Sequence, residues 1–454
     1  MRLSVAVAAV CTLGAAASPA LSATGTAPDN QPLTLAQAHA LALRNHPDIA
    51  AANYRALAQH EVFVQSRSGL LPQVYLYGSA VQAGSDNTRL MAGGLNNPSV
   101  FSRTAVGVGV SQLITDFGHT TNLAASARLQ ANAAEQNSLT TREQVLLQVD
   151  HSYFGVLQAQ AIEAVAQQTL ETRQLLLERV SILAANKLKS DLDVSFAQVG
   201  LEDARLLLLK AQNDANSSMA TLTAVLGYGE PQPLTLAAET SVPAPAAADV
   251  TPLIERARRD RPELASLRDE RDAAQRLALS LRDARLPTIS AVIAAGDAFS
   301  HDARLPDNYG AGGIQISVPL FAGGLYQARE REAQLRAKAA AEALRASEDN
   351  VSRDVQVAWL SLNNAHQRLR TTAQLRRYAT TAYELADARY GAGSSSIVEL
   401  SQAQLQLTAA QIDESTARYE VLIRAADLNY EIGVPGPGDA LPPDAGKAGQ
   451  PDLP

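Results

Sequence analysis

The sequence is poor in cysteine, in aromatic side chains and in long apolar runs, and each shortage excludes something. Its 454 residues hold one cysteine, Cys11, and only 4% aromatics. A lone cysteine excludes a disulfide scaffold and any cysteine-built metal cluster. Few aromatics argue against a large aromatic core and favour long helices that meet along narrow, small-residue seams. Beyond the N-terminal segment no run of about 18 apolar residues occurs, so no transmembrane helix is expected. The net charge of −8 comes with no basic stripe to neutralise phosphates, so nucleic acid is not an expected partner.

Signs of catalysis are equally scarce. The seven histidines (His39, His46, His60, His119, His151, His301 and His366) are dispersed, without an HExxH or Cys/His pattern. His39 and His46 share one face of an expected helix, where packing is their ordinary role. Carboxylates alternate with arginines, as in RDRPELASLRDERDAAQR, which is the pattern of a solvated helix surface with i,i+4 pairing. GVGVSQ lacks the third glycine of a dinucleotide fingerprint, and GAGG at 310–313 leads into a strand. DFG at 116–118 has no accompanying phosphate loop or catalytic loop. No enzyme, cofactor or metal is expected.

What is present begins with a leader. Arg2, the apolar run LSVAVAAVCTLGAAA and the small residues of SPALSA make residues 1–23 an expected cleaved signal peptide. Cys11 lies inside it and would leave with it; a lipidated cysteine is disfavoured by Val10 where a small residue would be wanted. The mature chain is then exported and has no cysteine.

The rest is written twice. Pro47 and Pro72 match Pro262 and Pro287, each pair 215 apart (262 − 47, 287 − 72). QVDHSYF matches DVQVAWL, SFAQ matches SQAQ and Gly227 matches Gly433, each 206 apart (354 − 148, 401 − 195, 433 − 227). Constant offsets mean two copies of one unit. The expected copies are 33–228 and 249–434, joined by a linker at 229–248 and followed by a disordered tail at 435–454.

Each copy has the same expected parts. Thr34 or Asp249 caps a first helix that ends near Leu-Pro. Period-two strands follow at about 73–82 and 103–115, and at 288–295 and 312–321, with loops at 84–100 and 296–312. Long helices run from 119 to 186 and from 324 to 390, roughly 100 Å at 1.5 Å per residue. Returning helices cover 191–227 and 396–432, stopped by Gly227 and Gly433.

Val106, Val108, Val110, Ile314, Ile316 and Val318 share the apolar parity of the strands; Gly107, Gly109, Ser111, Gln315 and Ser317 hold the other. One set suits lipid and the other a wet lumen. A soluble sandwich alternates in the same way, but export, duplication and helix length favour the barrel. Four strands cannot enclose a channel and leave two open edges, which cannot face hydrocarbon, so closure needs several copies. Three copies give twelve strands.

This arrangement resembles the TolC family of outer-membrane efflux and secretion channels. The likeness rests on RNHPDI/RDRPEL, LLPQV/RLPTI, SQLITDFG/SVPLFAGG, ARYGAGSSSIVELSQAQLQL and RAADLNYEIGVP, in order and in duplicate. It implies a mostly α fold with a small β part: a homotrimer whose twelve-stranded outer-membrane β-barrel continues as a periplasmic α-helical barrel. It also implies docking with an inner-membrane pump through a periplasmic adaptor, for type I secretion or efflux from a Gram-negative bacterium. In that light Asp116, Phe117 and Gly118 form the strand-to-helix hinge, with Gly323 and Gly324 as the counterpart after Ala322. Phe117, Phe321 and Tyr326 lie at the inner membrane boundary or simply pack at the junction.

The resemblance places Asp193 and Glu399 around a periplasmic aperture, where a ring of like charges would favour cations and bias the mouth toward opening. Ordinary solvated helix-end charges are the alternative. A second acidic position of the family is Gln402 here, matched by Phe196. Lys187, Lys189, Ser190, Gly393, Ser394, Ser395 and Ser396 are the expected adaptor-docking tips, although such residues are also ordinary turn formers. The competing function is an exported helical adaptor or scaffold without a pore. An adaptor, however, should carry one hairpin between lipoyl-like and barrel domains.

Overall fold

A computed structural model describes residues 32–434 except 83–87, 90–98, 101, 231, 233, 239–240, 247 and 302–305. The expected leader, the tail and most of the loop at 84–100 lie outside the described residues.

Each copy opens with two helices where one was expected. Thr34 starts α1 (Leu35–Asn45) through a reciprocal capping box with Gln37. The helix stops at His46, which is extended because Pro47 follows and a residue before proline is pushed out of the helical region. His46 then caps α2 (Pro47–Ser68), its Nδ1 accepting from the Asp48 N–H at 3.2 Å. His39 and His46 therefore do not share a helix. Pro262 makes the same break between α5 (Thr251–Asp260) and α6 (Pro262–Asp283). Asp249 accepts from the Thr251 N–H at 2.9 Å, although Val250 is the residue directly before the helix.

The sheet is antiparallel, in the order β1 (Gln73–Val81), β4 (Arg103–Thr115), β5 (Thr288–His301), β6 (Asn308–Ser317). A short pair, β2 (Thr88–Arg89) and β3 (Ser99–Val100), forms separately within the first outer loop. Three boundaries differ from expectation. β5 continues past 295 to His301, and β6 begins at Asn308 rather than 312, so the second loop is shorter than 296–312. Glycines there still find ladder partners, Gly296 with Tyr309 and Gly310 with Ala295: pairing overrides weak β propensity. At its other end β6 stops at Ser317, short of 321, because Pro319 cannot donate to a ladder. Val318 thus lies beyond the strand.

Register gathers the two parities onto two faces. Val74, Val110 and Ile293 form one apolar row, and Leu76, Val108 and Ala295 the next; Ile289 pairs with Ile316 and Ala291 with Ile314. Gln112 is polar within this apolar set, but its amide is satisfied by the carbonyls of Leu70 and Leu113. The opposite face carries Tyr75, Tyr77, Gly107, Gly109, Ser111, Tyr309 and Gln315.

Helix α3 (His119–Ala185) and helix α7 (Leu325–Gly391) have 67 residues each. Helix α4 (Asp191–Val225) and helix α8 (Ile397–Glu431) return alongside them with 35 each. Beneath the sheet, α2, α3, α6 and α7 pack in that order, the order of the strands they join. Farther down the order is α4, α3, α8, α7. Gly227 abuts Asn45 and Gly433 abuts Asp260, so each returning helix ends against a proline break. Every layer is four elements wide.

The duplicated core sits where these layers meet. Val145, Val149, Leu222 and Leu226 fill one copy. Val351, Val355, Leu428 and Ile432, each 206 positions on (351 − 145), fill the other. Tyr153 is buried there, its hydroxyl shared between the carbonyls of Leu33 and Ala237, which ties the linker to the start of the first copy. Among the described residues no helix is long and apolar enough to cross a membrane.

Candidate functional site

Three places carry the candidate residues: the sheet faces, the strand-to-helix junctions and the far turns. On the apolar face Val74, Leu76, Ile293, Ile314 and Ile316 are all more than half exposed. Apolar side chains in such continuous rows, backed by a face of glycine, serine and tyrosine, fit lipid on one side and water on the other.

The two junctions are built differently. Asp116 is buried, and its carboxylate accepts from the N–H of Gly118 at 3.2 Å and of Thr120 at 2.7 Å. It therefore caps α3 from within the bend. Phe117 and Gly118 take left-handed backbone, φ 57° and 111°, a conformation costly for a residue with a Cβ. His119 Nδ1 and the Ser280 carbonyl lie 2.9 Å apart, and Asn122 donates to Asp283, so this bend is locked onto α6. Gly323 and Gly324 have φ 60° and 85°, and a Cβ added at either would meet nothing within 4 Å beyond its chain neighbours. The second bend turns on two left-handed glycines in open space, closed by the Leu325 N–H donating to the Ala322 carbonyl at 3.1 Å. Phe321 is 91% exposed beside the apolar face and Phe117 is half exposed. Tyr326 turns inward instead, lining a polar cavity of about 280 Å³ with Asp116, His119, Asp283 and Arg329.

At the far end the structure brings the two turns together. Val180, Ala197, Tyr390, Ile397 and Leu400 pack there as one cluster. Lys189 Nζ lies 4.0 Å from the Tyr390 ring centroid, a cation–π contact between the copies. Burial, and then the nearby Asp193 carboxylate, push the Tyr390 phenol above its ordinary range.

Asp193 and Glu399 hold equivalent places, the third residue of a returning helix, and both are engaged. Asp193 forms a reciprocal capping box with Ser190, accepting from its N–H at 3.0 Å and its hydroxyl at 2.8 Å. The Ser190 N–H is the main reason its carboxyl is held below the usual range. Glu399 pairs with Arg389.

Of the expected docking tips, Ser190 and Ser396 cap helices and Ser394 donates to the Arg389 carbonyl. Lys187 and Gly393 have φ 56° and 73°, as the turns require. Lys187, Ser190, Gly393, Ser394 and Ser396 are exposed, while Lys189 and Ser395 are half-buried. Phe196 and Gln402 line a cavity of about 400 Å³ above these turns, between α4 and α8, together with the buried Arg173. The Arg389 partner and the capping role of Asp116 were missed from sequence. An Arg ten residues before a Glu across a turn, and an Asp two before a helix-opening Gly, were the available signals.

The model of the family described as outer membrane efflux protein matches residues 39–228 and 253–434. The chain belongs to that family and is an outer-membrane efflux protein. It is 24% identical to the outer membrane protein TolC of Vibrio cholerae over 422 residues, covering 91% of this chain and 93% of that one. It is also 24% identical to the pyoverdine export outer membrane protein OpmQ of Pseudomonas aeruginosa, covering 87% and 82%. The solved outer membrane protein VceC of Vibrio cholerae has the same fold, with TM-score 0.75 at 18% identity over 88% of this chain and 96% of that chain. The family is one of channels, not of enzymes, and the poreless adaptor or scaffold is set aside.

Proposed function

We propose that three copies of the chain close into an exit duct that takes substrates from an inner-membrane pump through a periplasmic adaptor and releases them outside. One observation carries this reading: each of the three stacked layers is open along the same two flanks. Among the described residues the sheet ends in unpaired β1 and β6; below it stand α2 and α7, and below those α4 and α7. Because strand directions alternate, rotation of a copy sets β6 beside the next β1 antiparallel. All edges then vanish at once, as hydrocarbon requires.

The helical flanks agree. Leu192, Val199 and Leu206 stand seven apart along α4, and Tyr378 and Leu385 seven apart along α7; all are exposed in a single protomer. A seven-residue apolar spacing is the seam of two helices that wind together. Three copies give a helical barrel beneath a twelve-stranded one. The far turns then surround the lower mouth, with Asp193 and Glu399 at the aperture and the tips from Lys187 to Ser190 and from Gly393 to Ser396 offered to the adaptor. Asp116–Gly118 and Gly323–Gly324 act as the strand-to-helix hinges. The chain itself catalyses nothing and takes no cofactor.

The test is the behaviour of purified mature protein. Detergent extracts should run as a trimer that becomes monomer only on heating, and should insert conducting pores in planar bilayers. A stable, water-soluble monomer without detergent would overturn the reading. Separately, replacing Gly393 and Ser395 with bulky residues should block pump-dependent export while leaving the pores intact.

A further inference from the structure

One row of directly opposed residues crosses the sheet as Tyr77–Gly107–Gly296–Tyr309: Tyr77 pairs with Gly107, Gly107 with Gly296, and Gly296 with Tyr309. The tyrosines stand on the two outermost strands, which neighbouring-strand spacing sets about 14 Å apart. They nevertheless meet, Tyr309 donating its hydroxyl to that of Tyr77 at 3.1 Å. The two central glycines permit it. A Cβ on Gly107 would fall 2.2 Å from the Tyr309 Oη, and one on Gly296 2.5 Å from it. Tyr75 joins from the next position on this face, lying over Gly109. Both β1 tyrosines keep more than a third of their surface exposed.

We propose that this row is a contact site for planar aromatic compounds in transit, at one level of the barrel lumen. The inference rests on the duct reading, since only closure makes the glycine–tyrosine face a lumen. In a closed trimer each copy lays a Tyr–Tyr bridge across its glycine floor, and three bridges ring the passage. Ser79, Ala105, Gly109, Ala294 and Ala311 flank the row on this face, with the Arg103 charge within electrostatic reach of Tyr309, so the rings supply its main apolar surface. Stacking on an aromatic side chain accepts any flat π system. Several weak sites at one level let a compound bind and leave, as conduction requires.

The test uses full-length trimer in planar bilayers and two blockers of equal charge, a planar acridinium ion and an aliphatic quaternary ammonium ion. The acridinium should block at a concentration about tenfold lower, the scale of aromatic stacking. Replacing both residues, Tyr77→Phe with Tyr309→Phe, should keep that ratio, because the rings remain. Tyr77→Leu with Tyr309→Leu should bring it close to one. Should the double Leu variant fail to assemble, each single Leu variant is read in the same way and should lower the ratio. A ratio near one in the wild type, or one that survives the Leu variants, overturns the site. Absence of any conducting trimer in the wild type would instead count against the duct.

Discussion

Arg389 Nη1 lies 2.9 Å from Glu399 Oε1, joining the end of α7 to the first turn of α8 across the far turn. Glu399 is therefore not a free charge, and the side chain that partly neutralises it is within reach of ordinary mutagenesis. In a trimeric aperture, Arg389→Ala should expose three carboxylates and strengthen pore block by a multivalent cation such as hexaamminecobalt. Asp193→Asn with Glu399→Gln should weaken the same block. Unchanged block in both variants would leave the two residues as helix-end charges.

Asp193 serves as cap and as charge, and the two roles separate by substitution. Asp193→Ala removes the carboxylate half of the capping box, leaving the Ser190 hydroxyl to accept from the backbone N–H of residue 193, and should cost at most about 1 kcal/mol of local helix stability. Faster hydrogen exchange at the amides of residues 190–194 would register it. Because the Ser190 N–H holds the folded carboxyl low, its contribution is present above the unfolded carboxylate range near pH 4 and lost as pH falls through the folded value. Protection of these amides in the wild type, taken relative to their intrinsic exchange rate at each pH, should therefore fall in acid and approach that of the Ala variant.

The two bends predict unequal sensitivity. A Cβ on Gly118 would combine left-handed backbone, φ 111°, with a 3.1 Å approach to Asp283 Oδ2. At Gly324 the backbone is also left-handed but the space is open. Both Gly→Ala changes carry the conformational penalty of roughly 1–2 kcal/mol. Gly118→Ala should lower the heat-dissociation temperature of the trimer further, because the locked contact to α6 is disturbed as well. Equal losses would mean that the Asp283 contact yields without cost.

Much of this architecture was legible because duplication states each element twice. The two long helices, the alternation of the strands and the glycines at the bends are local signals, and local signals survive in a sequence. What escaped depended on partners far along the chain. β5 and β6 continue through glycine-rich stretches only because each has a paired neighbour. The Tyr77–Tyr309 row needs the register of four strands, which no single strand encodes. Pro47 and Pro262 are the exception: their helix-breaking effect was readable, yet they were used as alignment marks. Asp116, similarly, is legible as part of the strand-to-helix junction, but its capping of α3 through the Gly118 and Thr120 N–H groups is not.

Where α3 crosses α8, His151 Nε2 and Asp427 Oδ1 lie 2.6 Å apart, and Arg424 donates to the other oxygen at 3.0 Å. Burial pushes the Asp427 carboxyl up, but the hydrogen bonds and charges of His151 and Arg424 outweigh it, and the net direction is down. The ionised carboxylate therefore stabilises the folded state above the unfolded carboxylate range near pH 4 and ceases to do so as pH falls through the lowered folded value. Asp427→Asn keeps the shape of the side chain and removes its charge. It should destabilise the protein by roughly 1–3 kcal/mol at pH 7, the scale of hydrogen bonds to charged groups. Thermal melts of wild type and variant in detergent should differ at pH 7 and converge on acidification below about pH 4. A difference that persists unchanged in acid would show that the contact between α3 and α8 depends on side-chain packing and not on the carboxylate charge.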